Sequence, residues 1–158
     1  MAEENDNFMD YEQTLKAFAS GRTVAEMRNI LPEELEAAYA VAYTYYQTGR
    51  LDDAEKLFRF LALFDHTEIK YWLGLGAVLQ AQRKFREAIR PYACAMMFDR
   101  GEVRATYHLA ECQLAIGEIG EAIAALDILE GCADAKTERG REYLAKGRKL
   151  REQCRLKR

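Results

Sequence analysis

The chain has 158 residues, 49% hydrophobic and 31% charged with only two prolines, a profile that excludes a disordered or fibrous protein and fits a folded, mostly helical one. No run approaches about 18 apolar residues, so no membrane-spanning helix is expected, and a net charge of −3 gives no overall pull toward nucleic acid or lipid. The charge is uneven: residues 136–158 hold ten Lys/Arg against three Asp/Glu, leaving 13 basic against 23 acidic residues before them. The body is acidic and the tail basic.

The N-terminal extension, residues 1–31, opens on Met1-Ala2-Glu3-Glu4-Asn5-Asp6. It is acidic and lacks the apolar run of a secretory signal, so a cytoplasmic protein is expected. Phe8, Tyr11, Leu15 and Phe18 follow at spacings of three and four, one apolar face of a short helix over 7–19. Ser20-Gly21-Arg22 ends it. Thr23, with Glu26 three residues on, predicts a capping box and a second short helix. Pro32 disfavours helix at Leu31 and suits the first position of the next helix, where Glu33, Glu34 and Glu36 favour the dipole.

From Leu35 the chain repeats itself. Trp72, Leu75-Gly76, Leu79, Ala88 and Tyr92 have the spacing of a helix-turn-helix tetratricopeptide repeat, with Leu79 and Tyr92 where Tyr and Phe are usual. One repeat length aligns Val41, Leu75 and Leu109; Ala42, Gly76 and Ala110; Ala54, Ala88 and Ala122; and Phe58, Tyr92 and Leu126. Gly49, Arg83 and Gly117 fall at the turns. Three tandem repeats over 35–68, 69–102 and 103–134 predict an all-α solenoid. The A helices fall at about 32–48, 69–82 and 103–116, and the B helices at about 52–64, 85–98 and 119–131. Small residues at 42, 76 and 110 and at 54, 88 and 122 let each A helix approach its B helix, and bulky residues at 41, 75 and 109 and at 58, 92 and 126 fill the seam. Repeats bury their faces only against neighbours, so N-terminal helices and a C-terminal helix over about 137–153, within the basic segment 135–158, are expected as caps. Gly140 and Gly147 each cost that helix about 1 kcal/mol relative to Ala. Pro91 in the second B helix predicts a kink.

The A helices of such an array line its concave side. The frame turns Tyr39, Tyr43 and Tyr46 into the groove at spacings i, i+4 and i+7, with Gln47 after them, and leaves Tyr45 in the core. Lys70, Leu73, Ala77 and Gln80 continue this face in the second repeat, and Arg104, Tyr107, Glu111 and Leu114 in the third. Tyrosines suit an extended peptide, because the ring grips side chains and the hydroxyl bonds backbone. Only Lys70 and Arg104 offer cations, too few for a clamp on a C-terminal carboxylate.

No other chemistry competes. Cys94, Cys112, Cys132 and Cys154 form no CxxC and read as inert thiols in a reducing compartment. His108 and Cys112 are half a metal site by spacing, with no second pair, so neither a metal nor another cofactor is expected. There is no nucleophile–base pair or phosphate loop, so the protein is not read as an enzyme.

Tandem N-terminal helices, three tetratricopeptide repeats and a C-terminal helix resemble the class II chaperones of bacterial type III secretion. The likeness covers roughly 8–150 and rests on Ala42–Leu51 (AYTYYQTGRL), Phe60–His66 (FLALFDH), Leu73–Ala77 (LGLGA), Ala110–Leu114 (AECQL) and Phe18–Thr23 (FASGRT). The resemblance implies a cytosolic holdase. It would hold an extended N-terminal segment of a hydrophobic translocator in the groove, preventing aggregation and early membrane insertion. It also implies a homodimer, for which Phe8, Tyr11, Leu15 and Phe18 would supply the face unless they pack on the first repeat. In some members it implies co-activation of a transcription regulator. Pro91 and the basic tail depart from the pattern. A general repeat scaffold joining two folded partners, or an RNA-binding adaptor using the tail, remain alternatives.

Overall fold

A computed structural model describes residues 19–134 and 136–157. The described residues form eight helices and no strand. They are α1 (Val24–Met27), α2 (Pro32–Gln47), α3 (Leu51–Phe64), α4 (Ile69–Ala81), α5 (Phe85–Phe98), α6 (Val103–Ala115), α7 (Ile119–Cys132) and α8 (Glu138–Leu156). Consecutive helices pair as three antiparallel hairpins, α2–α3, α4–α5 and α6–α7, and α8 closes the array against α6 and α7. Among the described residues no helix is long and apolar enough to cross a membrane. Phe8, Tyr11, Leu15 and Phe18 lie outside the described residues.

Local signals set the helix limits. Thr23 and Glu26 form the expected capping box, Glu26 N–H donating to Thr23 Oγ1 at 3.2 Å and Thr23 N–H to Glu26 Oε2 at 3.0 Å. Pro32 occupies the first turn of α2, and the Glu34 carboxylate accepts from Leu31 N–H at 2.8 Å. The three hairpin turns share one backbone solution: Gly49, Arg83 and Gly117 all adopt left-handed φ, at 76°, 62° and 83°. A Cβ makes that conformation costly, by roughly 1–2 kcal/mol, so the middle turn carries strain the other two avoid.

The seam follows the repeat frame. Ala42, Ala54, Ala88, Ala110 and Ala122 are fully buried, as are Phe58, Tyr92 and Leu126 between them. A Cβ on Gly76 would sit 2.6 Å from the Tyr92 ring, so only glycine lets α4 approach its own B helix this closely. On the other side of α4, a Cβ on Gly74 would lie 2.1 Å from Phe58 of the preceding repeat.

Three expectations need correction. Val41 does not fill the seam: it is 44% exposed, whereas Leu75 and Leu109 are 4% and 8% exposed. This repeat position faces the B helix of the preceding repeat, and Leu75 borders the same cleft as Ala62 and Leu63 of α3. Val41 belongs to the first repeat and has no preceding one. Tyr45 is half-buried rather than central, with the Arg50 guanidinium 4.1 Å over its ring. Gly140 and Gly147 are contact points rather than weaknesses: a Cβ on Gly140 would lie 1.9 Å from the Asp134 carbonyl oxygen, and one on Gly147 2.8 Å from Leu129. At Pro91 the helix continues; α5 runs through it, and the ring is buried.

Cations of α8 are engaged locally. Arg151 bridges Asp127 and Glu130 of α7 at 2.7 and 3.1 Å, Lys146 pairs with Glu142, and Arg155 with Glu152 at 3.3 Å. Arg151 thus ties the cap to the acidic repeat beneath it, while the other two pairs stay within α8.

Candidate peptide-binding groove

Helices α2, α4 and α6 line one face, and at its first-repeat end they enclose a cavity of about 170 Å³. Tyr39, Tyr43 and Tyr46 form one wall; Lys70, Leu73, Ala77 and Arg104 the other. Seven of the twelve groove residues expected from sequence meet here. Tyr39 and Tyr43 stack with ring centroids 6.3 Å apart, and Tyr39 meets Phe58 edge-on at 5.9 Å and Tyr71 at 5.9 Å. Packed on three sides, Tyr39 is held in place, and burial pushes its hydroxyl above the ordinary tyrosine range. Tyr43 is 46% exposed and is the ring the groove presents to solvent. Gln47 sits exposed at the end of α2, outside the cavity.

The two groove cations are already partnered. Lys70 pairs with Glu36 and lies 4.9 Å over the Tyr39 ring. Arg104 donates to both carboxylate oxygens of Glu102, at 2.7 and 2.6 Å. Burial pushes the Glu102 carboxyl up, but this fork and the Arg104 backbone N–H outweigh it and hold the group below the usual carboxylate range. Both cations therefore present aliphatic stems to the cavity more than free charge.

Gln80, Tyr107 and Glu111 form a second cluster toward the third repeat. Glu111 accepts from Gln80 Nε2 at 3.0 Å and from Tyr107 Oη at 2.9 Å, and meets His108 Nδ1 at 2.7 Å. The Tyr92 hydroxyl donates to Gln80 Oε1 at 2.8 Å, which carries the network into the core. Burial raises the Glu111 carboxyl, and the bonds from His108, Gln80 and Tyr107 together bring it below the ordinary range. His108 stacks on Tyr92 at 5.6 Å, and Tyr143 of α8 meets Tyr107 edge-on at 5.5 Å. Cys112, one turn from His108, is fully buried, with its thiol pushed up to about 12 by that burial. Leu114, expected in the groove, is 5% exposed and belongs to the core.

Sequence reasoning missed three members of this face. Phe58 was assigned to the seam, yet it borders the cavity because Gly74 above it has no side chain; the glycine was the available signal. His108 lies one step beyond a groove position and joins through Glu111. Tyr143 comes from the cap, where no repeat frame locates it.

The chain matches the tetratricopeptide repeat family over residues 35–67. It is 34% identical over 139 residues to the low calcium response locus protein H of Yersinia pestis, covering 87% of this chain and 83% of that protein. A type III secretion complex from Aeromonas hydrophila superposes with a TM-score of 0.85 at 32% identity, covering 92% of this chain and 97% of that one. The Yersinia enterocolitica translocator chaperone SycD, solved with a peptide of the translocator YopD, superposes with a TM-score of 0.75 at 34% identity, covering 81% and 97%; SycD has also been solved as an alternative dimer. The repeat frame, the glycine-spaced helix pairs and these alignments along most of both chains lead to one conclusion: the chain belongs to the tetratricopeptide-repeat chaperones of type III secretion translocators.

Proposed function

We propose that this protein is a cytoplasmic, non-enzymatic chaperone that holds a hydrophobic translocator by an extended segment laid along the concave groove, and so keeps it from aggregating or entering a membrane before export. The observation that carries this reading is the cavity between Tyr39, Tyr43, Tyr46, Leu73 and Ala77, which fits a single apolar side chain. Aromatic walls grip such an anchor over a large area at small entropic cost, and a segment with anchors at intervals would find further footing along the A helices. Gln47, Gln80, Arg104, Tyr107 and Glu111 would flank the client's backbone and polar side chains.

Calorimetry with the YopD peptide that SycD binds tests the groove. The double variant Tyr39→Ala, Tyr43→Ala is expected to bind about 100-fold more weakly, roughly 3 kcal/mol, with far-ultraviolet circular dichroism unchanged. Undiminished affinity would reject the groove as the client site. We further propose a homodimer through Phe8, Tyr11, Leu15 and Phe18. Removing residues 1–20 is expected to halve the mass in light scattering, and an unchanged mass would place the contact elsewhere.

A further inference from the structure

Opposite the groove, a larger cavity opens between the successive B helices α3 and α5, over α4. Its volume is about 560 Å³, and none of the groove residues lines it. Trp72, Leu75 and Leu79 of α4 and Pro91 of α5 give it an apolar lining. The indole is fixed by its Nε1, which donates to the His66 carbonyl at 2.7 Å, so its apolar edge is left to the cavity. Pro91 lacks an amide hydrogen, which removes the helical donor of the Glu87 carbonyl in the same wall.

Around this lining stand Arg59, Arg86 and Arg90, with Glu87 the one acidic side chain among them. Arg59 is shared between Glu55 at 2.8 Å and Glu87 at 3.6 Å. Arg86 reaches Glu118 at only 3.4 Å and is 75% exposed. Arg90 makes no ion pair among the described residues. Residues 1–135 are acidic overall, with 13 basic against 23 acidic residues, so three arginines at one opening run against the local trend. The next cleft along this face supplies a comparison. Leu109, Met96 and Met97 line a cavity of about 590 Å³ there, and Arg100 is its single charged residue. An apolar cleft is thus common to the repeats, and the arginine rim is particular to the first.

We propose that this cavity docks a short segment of a partner protein in which a bulky apolar residue is flanked by carboxylates. The apolar side chain fills the space over Trp72 and Leu75, and the carboxylates meet Arg59, Arg86 and Arg90, of which arginine forks make directional partners. The site is separate from the groove, so a translocator segment and this partner bind together.

Trp72 is the chain's single tryptophan, and its emission reports directly on the cavity. The full-length protein is titrated with the peptide Asp-Glu-Leu-Phe-Glu-Asp and with its charge-reversed counterpart Lys-Lys-Leu-Phe-Lys-Lys. The acidic peptide is expected to shift Trp72 emission saturably, and the lysine peptide to leave it unchanged. Arg86→Glu with Arg90→Glu is expected to weaken the acidic peptide by about tenfold or more while leaving YopD peptide binding and helical content intact. Absence of a saturable shift, an equal response to the lysine peptide, or loss of the response in the Tyr39→Ala, Tyr43→Ala variant would each overturn the proposal; the last would place the peptide in the groove.

Discussion

The two ends of the groove occupy equivalent repeat positions with opposite chemistry. At the first-repeat end, the A helix contributes Tyr39, Tyr43 and Tyr46, whose rings surround open space. At the third-repeat end, the same positions carry Tyr107, Glu111 and Leu114, and the polar groups bond one another. One end offers unfilled apolar surface. The other is satisfied internally and closed over by Tyr143 of the cap. A repeat position fixes direction, and the neighbours it finds decide whether a side chain is left open in the groove or committed to the fold.

This contrast can be broken at each end, starting with the largest effect on stability. Gly74→Val drives a branched side chain into Phe58, where even a Cβ would come to 2.1 Å. A loss of roughly 3 kcal/mol is expected from overpacking, read as a lower urea midpoint, together with weaker peptide binding because Phe58 borders the cavity. Retained stability would mean that α4 shifts freely and that the apolar end is not rigid. Glu111→Ala strips the acceptor from Gln80, Tyr107 and His108 and is expected to cost roughly 2 kcal/mol. If the third-repeat end serves the fold first, urea denaturation registers that loss more strongly than calorimetry with the YopD peptide does. The reverse ranking would make Glu111 primarily a client contact.

The smallest effect is acid sensitivity. The carboxyls of Glu111 and Glu102 titrate below their ordinary value of 4.5 in the folded protein. A depressed carboxylate stabilises the fold fully above that unfolded-state value, and the contribution is lost as pH falls through the folded-state one. Stability of the native protein is therefore expected to decline below about pH 4.5. Glu111→Gln is expected to flatten part of that decline while leaving the neutral-pH slope alone. An identical acid limb in the variant would show that Glu111 carries none of it.

The array itself was legible in the sequence, because its marks are local and repeated. Ala42, Gly76 and Ala110, and the turns at Gly49, Arg83 and Gly117, are set by close backbone approach and left-handed φ, which few residue types satisfy. The direction of Tyr39, Tyr43 and Tyr46 followed from that frame. What escaped it depends on neighbours the frame does not contain. Val41 carries the repeat's residue without the preceding repeat that would cover it. Arg104 looked like a free cation until Glu102, two residues earlier, folded back onto it. Phe58 and Tyr143 reach the groove from a B helix and from the cap, and hydrophobic spacing alone assigns both to packing.

Gly74 and Gly76 bear on the proposed capture of a client. Two residues apart on α4, they point to opposite sides, each against an aromatic ring: Phe58 from the first repeat and Tyr92 from the second. The helix is gripped like a slat between two plates, and the plates set its spacing. The cavity beside it is accordingly present before a client arrives, with little reorganisation left to pay on binding. On the proposed groove reading, capture is then governed by how often the client exposes a suitable extended segment, and substitutions in the groove are expected to alter residence time far more than the rate of encounter.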